Sequence, residues 1–364
     1  MSISTLDLAI IGAGAAGLYC AHFASGRTSA YEVFDEHDRV GDSWRERYRS
    51  LRLFTPRRWT SLPGLRIDIG RFAYPTATQL ADYLERYAAA FAMPVRTGTR
   101  VERLSREPDG RFRLDLSTGD ETFAERVVVT AGAHRRPVTP EMAGRLDPRI
   151  RQLHSLDYRG PEDLAPGPVL VVGAANSGTD VALEAAASGH DTVLAGRHPG
   201  QVPAHIDNPI GNLMSEIFIR RLRNTTIDTE RGRRWLEEHR GHGVNLVRNH
   251  VADLVRAGAR QVGRVVGERG GKPVLDDGEV LDAATVVWCT GSVPDHAWID
   301  IPAAFAPDGV VQHRRGLVDA VPGLAFVGLP FLYSVASPTL MGMGRDAEHV
   351  VTQLLAQRPA LTAV

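Results

Sequence analysis

The chain is poor in cysteine, nearly free of lysine, and has no long uninterrupted apolar run. Its two cysteines, Cys20 and Cys289, stand far apart and form no Cys-x-x-Cys pair. That argues against a disulfide scaffold, a dithiol redox centre and a zinc site, so no metal is expected. The most apolar early stretch, residues 8–19, is broken by three glycines and lacks a basic leader. It reads as neither signal peptide nor membrane span, and a reducing cytoplasm is the expected location. Forty-two basic residues against 43 acidic ones leave a formal charge of -1, too small a field to gather nucleic acid. Lys272 is the single lysine, so the basic side is almost wholly arginine. This fits a compositional bias, and it also supplies planar guanidinium groups suited to phosphate and carboxylate.

What remains is the composition of a folded globular protein: 364 residues, 43% hydrophobic and 23% charged, enough chain for two or three domains. Residues 6–11 form a β-type run that ends in Gly12-Ala13-Gly14-Ala15-Ala16-Gly17, and small and apolar residues follow as far as Ser25. A second strand over 31–34 ends at Asp35. Strand, tight turn, helix, strand and acid make a βαβ dinucleotide-binding unit. In such a unit Gly12 permits the turn, Gly14 lets backbone N–H groups approach a pyrophosphate, Gly17 packs helix on strand, and Asp35 accepts from the ribose hydroxyls.

The pattern recurs. Val169-Leu170-Val171-Val172 runs into Gly173-Ala174-Ala175-Asn176-Ser177-Gly178, an alanine-rich helix and a strand over 192–195. Ala175 stands at the middle glycine place, adding a methyl group where a phosphate would approach. The second strand ends in Ala195-Gly196-Arg197, with no carboxylate. An arginine there suits a 2′-phosphate and favours NADPH over NADH; the plain alternative is one more surface arginine. Two such units suggest FAD in the first and NADPH in the second, with their reactive rings meeting at the seam.

Between the copies lie an arginine-rich loop (38–58), a helical stretch (78–92) and strands near Val101, over 112–116 and over 127–129. Residues 208–257 carry helix-like patterns such as Leu213, Ile217 and Leu222, and read equally as cover for an active site or as an elaboration of the second domain. Residues 286–291 and 324–328 read as buried strands ending in glycine, and a last helix runs from near Gly344 to Leu355. The expected fold class is α/β with two Rossmann-like domains, the second inserted into the first. Residues 1–160 and 286–364 form the expected FAD domain, and 161–285 the NADPH domain with a helical insertion over 208–257.

Further residues carry a family likeness. They are Asp35-Glu36-His37-Asp38-Arg39-Val40-Gly41-Asp42-Ser43-Trp44-Arg45, Leu51-Arg52-Leu53-Phe54-Thr55-Pro56, Tyr74-Pro75-Thr76, Val127-Val128-Val129-Thr130-Ala131-Gly132, His154-Ser155-Leu156-Asp157-Tyr158 and Trp288-Cys289-Thr290-Gly291. With the two glycine motifs, in this order, the chain resembles the class B flavin-containing monooxygenases, most closely their short bacterial relatives. The departures are Pro148 and Ile150 in the Phe and Gly places before His154, Asp42 for a glycine, Thr130-Ala131 for Ala-Thr, Cys289 for alanine, and Ala175.

The resemblance implies FAD on Gly12, Gly14, Gly17, Asp35, Trp44, Arg45, backbone near Val101, and Met343. It implies NADPH on Gly173, Asn176, Ser177, Gly178 and Arg197. His154, near the domain seam, and Gln79, toward the flavin edge, are the catalytic candidates. The implied cycle is reduction of FAD by NADPH, reaction of the reduced flavin with oxygen to a C4a-(hydro)peroxyflavin, and oxygen transfer to a small molecule. Nitrogen or sulfur oxygenation and Baeyer-Villiger insertion are both compatible. The alternatives are an NADPH-dependent reductase or dehydrogenase without oxygen insertion, and a flavin-binding protein that does not turn over. The expected partners are a small-molecule substrate and molecular oxygen, with neither nucleic acid nor membrane; a homodimer is left open.

Overall fold

The structure is a computed structural model that describes residues 5–202, 205–206, 209–238 and 246–357. It opens on β1 (Leu8–Ile11), buried along its whole length, as a parallel strand covered on both faces must be. α1 (Ala15–Ser25) and β2 (Tyr31–Phe34) complete the first βαβ unit. Two short helices, α2 (Asp42–Arg45) and α3 (Arg57–Thr60), interrupt the arginine-rich loop before α4 (Ala77–Ala90) and β3 (Val95–Arg96). α4 starts where Thr76 and Gln79 cap it reciprocally: Gln79 N–H donates to Thr76 Oγ1 (3.1 Å) and Thr76 N–H to Gln79 Oε1 (2.9 Å). Its inner stripe is Leu80, Tyr83, Leu84 and Tyr87, spaced to fall on one helical face. It ends short of the expected Ala92, which takes a left-handed conformation (φ 45°). A meander of β4 (Val101–Arg106), β5 (Phe112–Leu116) and β6 (Glu121–Ala124) returns the chain to the first sheet at β7 (Val127–Val129).

From there β8 (Arg136–Pro137) leads out to β9 (Arg151–His154), β10 (Val169–Val172), α5 (Asn176–Ala187) and β11 (Thr192–Ala195). α6 (Pro209–Asn224), α7 (Glu230–Glu238) and α8 (Val251–Arg256) follow. Then come β12 (Arg260–Val262), the hairpin β13 (Val265–Arg269) and β14 (Lys272–Leu275), and β15 (Thr285–Trp288). The chain returns through β16 (Ser292–Val293), which pairs antiparallel with β8, and β17 (Ile299–Asp300), which joins β4. It ends in β18 (Leu324–Phe326) and α9 (Leu340–Ala356).

The two five-stranded parallel sheets have orders β18-β7-β1-β2-β3 and β12-β11-β10-β15-β9. The chain leaves the first, completes the second and comes back, so one Rossmann-like unit is inserted into the other. The second sheet also takes in strands from outside residues 161–285. β15 pairs with β10 (Val286 beside Leu170), and β9 pairs with β15 (His154 beside Trp288). A fully buried strand such as β15 needs a backbone partner on each edge, and β9 supplies the second.

α9 begins at Leu340 rather than near Gly344. A Cβ on Gly342 would lie 2.2 Å from the Ala336 carbonyl oxygen, and one on Gly344 would lie 2.8 Å from the Tyr19 ring. These glycines serve close packing of the helix, not a loop before it.

The helices of the insertion dock back on the first unit. Trp59 Nε1 donates to Glu216 Oε2 (2.6 Å), Tyr74 OH to Asn212 Oδ1 (3.0 Å), and Arg223 to the Met341 carbonyl. The backbone joins in, with Ile227 N–H donating to Tyr333 O (2.9 Å) and Val335 N–H to Thr225 O (3.1 Å). The segment is thus a bridge between the units. Residues 208 and 239–245 of the expected insertion lie outside the described residues. Among the described residues no helix is long and apolar enough to cross a membrane.

Candidate active site

The first glycine turn has the geometry its sequence requires. Gly12 sits at φ 107°, and a Cβ there would lie 2.8 Å from the Thr130 carbonyl oxygen; a Cβ on Gly17 would lie 1.8 Å from the Gly12 carbonyl oxygen. Both positions exclude a side chain. Gly14 differs: an added Cβ meets nothing within 4 Å. The space beside it is open at the N-terminus of α1, where unpaired N–H groups and the helix dipole favour an anion. Thr130, in place of the usual alanine, ties the turn down with the single proton of its Oγ1, which lies 2.8 Å from both the Ile11 and the Gly12 carbonyl oxygens and is shared between them.

Asp35 reaches over this turn. Its Oδ2 accepts from Ala13 N–H (2.5 Å), and its Oδ1 accepts from His37 N–H (2.9 Å) and meets His37 Nδ1 at 2.8 Å. Burial works against its charge, but the bonds from His37 and Ala13 outweigh it and hold the carboxyl below its usual range. The bond to Asp35 raises His37 in turn. An ionised carboxylate beside an open glycine turn is what a ribose hydroxyl pair needs, so these residues fit an adenine dinucleotide.

The second turn repeats the frame. Gly173 sits at φ 113°, where an added Cβ would lie 2.2 Å from the Cys289 carbonyl oxygen, and a Cβ on Gly178 would lie 1.7 Å from the Gly173 carbonyl oxygen. Ala175 is the N-cap of α5 (φ -85°, ψ -172°), close to the conformation of Gly14 at the start of α1 (φ -69°, ψ -177°). Alanine adopts this conformation without strain, so the turn keeps its shape and only the space in front of it is reduced. Ser177 and Arg197 are exposed at the rim. Arg197 has no ion pair or hydrogen bond to a described residue, which leaves its guanidinium free for a ligand phosphate.

The two units meet through a buried carboxylate that the sequence pattern did not single out. Asp180, in the second turn of α5, accepts from Tyr48 OH (2.8 Å), Arg248 Nη2 (2.8 Å) and Asn249 Nδ2. Val247 N–H donates to Asn176 Oδ1 at 3.1 Å. Burial raises the Asp180 carboxyl, with Arg248 and the hydrogen bonds pulling against it. Tyr48 belongs to the loop of the first unit, yet it packs in the core of the second with Ala174, Val181 and Tyr158. The signal available was an acid among the apolar residues of a helix face, at Thr179-Asp180-Val181.

The remaining candidates have defined places. His154 is buried at the end of β9; its Nε2 donates to the Gly291 carbonyl (3.0 Å) and its Nδ1 accepts from Leu156 N–H (3.2 Å). Burial lowers its pKa, so the neutral ring is favoured and both nitrogens are engaged. Gln79 is committed to capping α4. Arg45 sits among Asp42, Asp82 and Glu85 (2.8–2.9 Å) and donates to the Val40 carbonyl, while Trp44 packs against the first core. Val101 is buried at the start of β4, and Met343 is partly buried against the first core, beside Gly328. Cys20 is buried, and burial raises both thiols, Cys289 to about 12, so neither is primed for thiol chemistry.

Residues 9–234 match the family described as pyridine nucleotide-disulphide oxidoreductase. An uncharacterized oxidoreductase CzcO-like protein of Geobacillus kaustophilus is 32% identical over 352 residues, covering 96% of this chain and 98% of that protein. The indole-3-pyruvate monooxygenase YUCCA1 of Oryza sativa is 33% identical over 177 residues, 48% of this chain and 44% of that protein. Among solved structures, the flavin-containing monooxygenase from Stenotrophomonas maltophilia superposes with a TM-score of 0.75 at 25% identity, over 97% of this chain and 99% of that one. With its two glycine turns on two parallel sheets, the chain belongs to the pyridine nucleotide-disulphide oxidoreductase family and is a relative of the flavin-containing monooxygenases.

Proposed function

We propose that the protein is an FAD- and NADPH-dependent monooxygenase that oxygenates a small molecule. The observation that carries this is the pair of glycine turns joined through Tyr48 and Asp180, one with open space at Gly14 under an ionised Asp35, the other with Arg197 exposed at its rim and unpaired among the described residues. The division 1–160 with 286–364 for FAD and 161–285 for NADPH is kept as the functional assignment, with β9 and β15 completing the NADPH sheet.

Bound FAD and NADPH supply hydride transfer and activation of oxygen; the protein's part is to bind, orient and exclude water. Gly12, Gly14 and Gly17 admit the flavin nucleotide's pyrophosphate, Asp35 holds its ribose, and Trp44, Arg45, backbone near Val101, and Met343 border it. Gly173, Asn176, Ser177 and Gly178 receive the NADPH pyrophosphate, and Arg197 its 2′-phosphate. His154 fixes the end of β9 against Gly291 rather than moving a proton, since both its nitrogens are already engaged. Gln79 acts on the flavin only through the start of α4. The insertion, bound to α9 and to α3, covers the seam against water.

The test is to follow oxygen, NADPH and product together while offering amines, thioethers and ketones. A stoichiometric oxygenated product supports the reading. A reduced acceptor with no oxygen incorporated favours the reductase alternative, which the oxidoreductase names of the full-length relatives leave standing.

A further inference from the structure

Arg47 lies two residues past α2 and immediately precedes Tyr48, whose ring lies in the second unit's core beside Ala174 and whose hydroxyl bonds Asp180. The first unit's loop therefore brings Arg47 beside α5 of the second unit and near His154 at the end of β9, the side on which ligands of doubly wound sheets bind. Its side chain is partly buried, and its guanidinium has no hydrogen bond, ion pair or ring contact with any described residue. Most of the arginines around the seam are engaged: Arg45 with three carboxylates, Arg135 with Glu36, and Arg159 with the Leu156 carbonyl (2.7 Å).

Two further arginines, Arg159 and Arg135, bear on it. Arg49 N–H donates to the Arg159 carbonyl (3.1 Å), bringing that arginine's segment alongside, and His134 and His154 both feel the Arg47 charge. Burial lowers Arg47, and Arg159 and Arg135 add to the effect, while Tyr48 and Glu46 oppose it. A partly buried guanidinium with no partner among the described residues and two arginines nearby is unfavourable in the free protein and becomes favourable once a dianion arrives.

We propose that Arg47 is a pyrophosphate ligand for the nicotinamide dinucleotide, supplied by the first unit across the seam. It offsets the approach that the Ala175 methyl group takes from the second glycine turn. This rests on the reading of that turn as an NADPH site and adds a cation from outside the turn's own unit. Because the pyrophosphate is common to both nicotinamide dinucleotides, Arg47 acts on NADP+ and NAD+ alike, whereas Arg197 acts on the 2′-phosphate alone.

The experiment is calorimetric titration of the flavin-loaded protein with NADP+, NAD+ and inorganic pyrophosphate, for wild type, Arg47→Ala and Arg47→Lys. Losing one charge-assisted contact predicts a rise in dissociation constant of roughly 10- to 100-fold for both dinucleotides in Arg47→Ala, with partial recovery in Arg47→Lys. Pyrophosphate competes with NADP+ in wild type and loses affinity in Arg47→Ala. Flavin content per chain, which reports the fold and the first site, stays unchanged. If wild type binds NADP+ and Arg47→Ala binds it equally well, or loses affinity for NADP+ alone, the assignment is overturned while the NADPH reading stands. If wild type binds neither dinucleotide, that reading falls and takes the assignment with it.

Discussion

Gly14 and Gly17 lie three residues apart in one turn and have opposite physical duties, which makes them a sensitive pair to alter. Gly17→Ala forces a methyl group into the Gly12 carbonyl, so it should cost about 1–3 kcal/mol of stability and reduce flavin content. Gly14→Ala points into open space, so the apoprotein's melting temperature should hardly move while flavin affinity falls. Equal melting losses in the two variants would contradict the division of labour. Arg197→Ala should weaken NADPH by roughly 10- to 100-fold and leave NADH nearly unaffected, measured as separate dissociation constants. His154 offers a pH test. Its pKa is lowered in the fold, so the unfolded chain takes up a proton near pH 6.5 before the native state does, and native stability is lost as pH falls below that value. His154→Ala should cost about 1–3 kcal/mol at pH 7.5, through the unpaired Gly291 carbonyl and Leu156 N–H, and should show a smaller further loss at pH 5.5 than wild type does. Denaturant melts at the two pH values measure both effects.

The strands and helices show what a single sequence makes legible. Both βαβ units could be read because the last glycine of each turn, Gly17 and Gly178, is forced by the carbonyl of Gly12 or Gly173 five residues earlier, and short apolar runs such as Val169–Val172 declare their burial. The start of α9 could not be read in the same way. Gly342 and Gly344 look like loop residues until the Ala336 carbonyl and the Tyr19 ring, both set by tertiary packing, are seen to leave no room for a side chain. The sheet membership of β9 and β15 is likewise a matter of edge pairing, which local pattern does not encode. Asp180 was hidden for the same reason, since its partners Tyr48 and Arg248 are distant in sequence. Tyr48→Phe should therefore leave flavin content unchanged but cost about 1–2 kcal/mol of stability for one buried hydrogen bond to a charged group. It should also slow flavin reduction by NADPH in a rapid-mixing experiment; an unchanged rate would show that the Tyr48–Asp180 bond does not help to align the two units.

Among the described residues, the two nucleotide units are tied together at several points. The β8–β16 ribbon carries the chain across, Tyr48 and Asp180 join loop to helix, and the insertion reaches from the second unit to α3 and α9 of the first. Such bracing fits a site where two rings must be held in contact and shielded from water, and it explains why a chain with so few reactive side chains can be an enzyme. Neither cysteine is primed, and the buried histidine His154 has both nitrogens engaged, so the reactive chemistry falls to the bound nucleotides. The most direct measurement is anaerobic: purify the protein, record its visible spectrum, and add NADPH without oxygen. A yellow protein carrying one FAD per chain that bleaches on addition of NADPH is the predicted result; a colourless protein that takes up no flavin when supplied with it, or a bound flavin that NADPH leaves oxidised, would contradict the account.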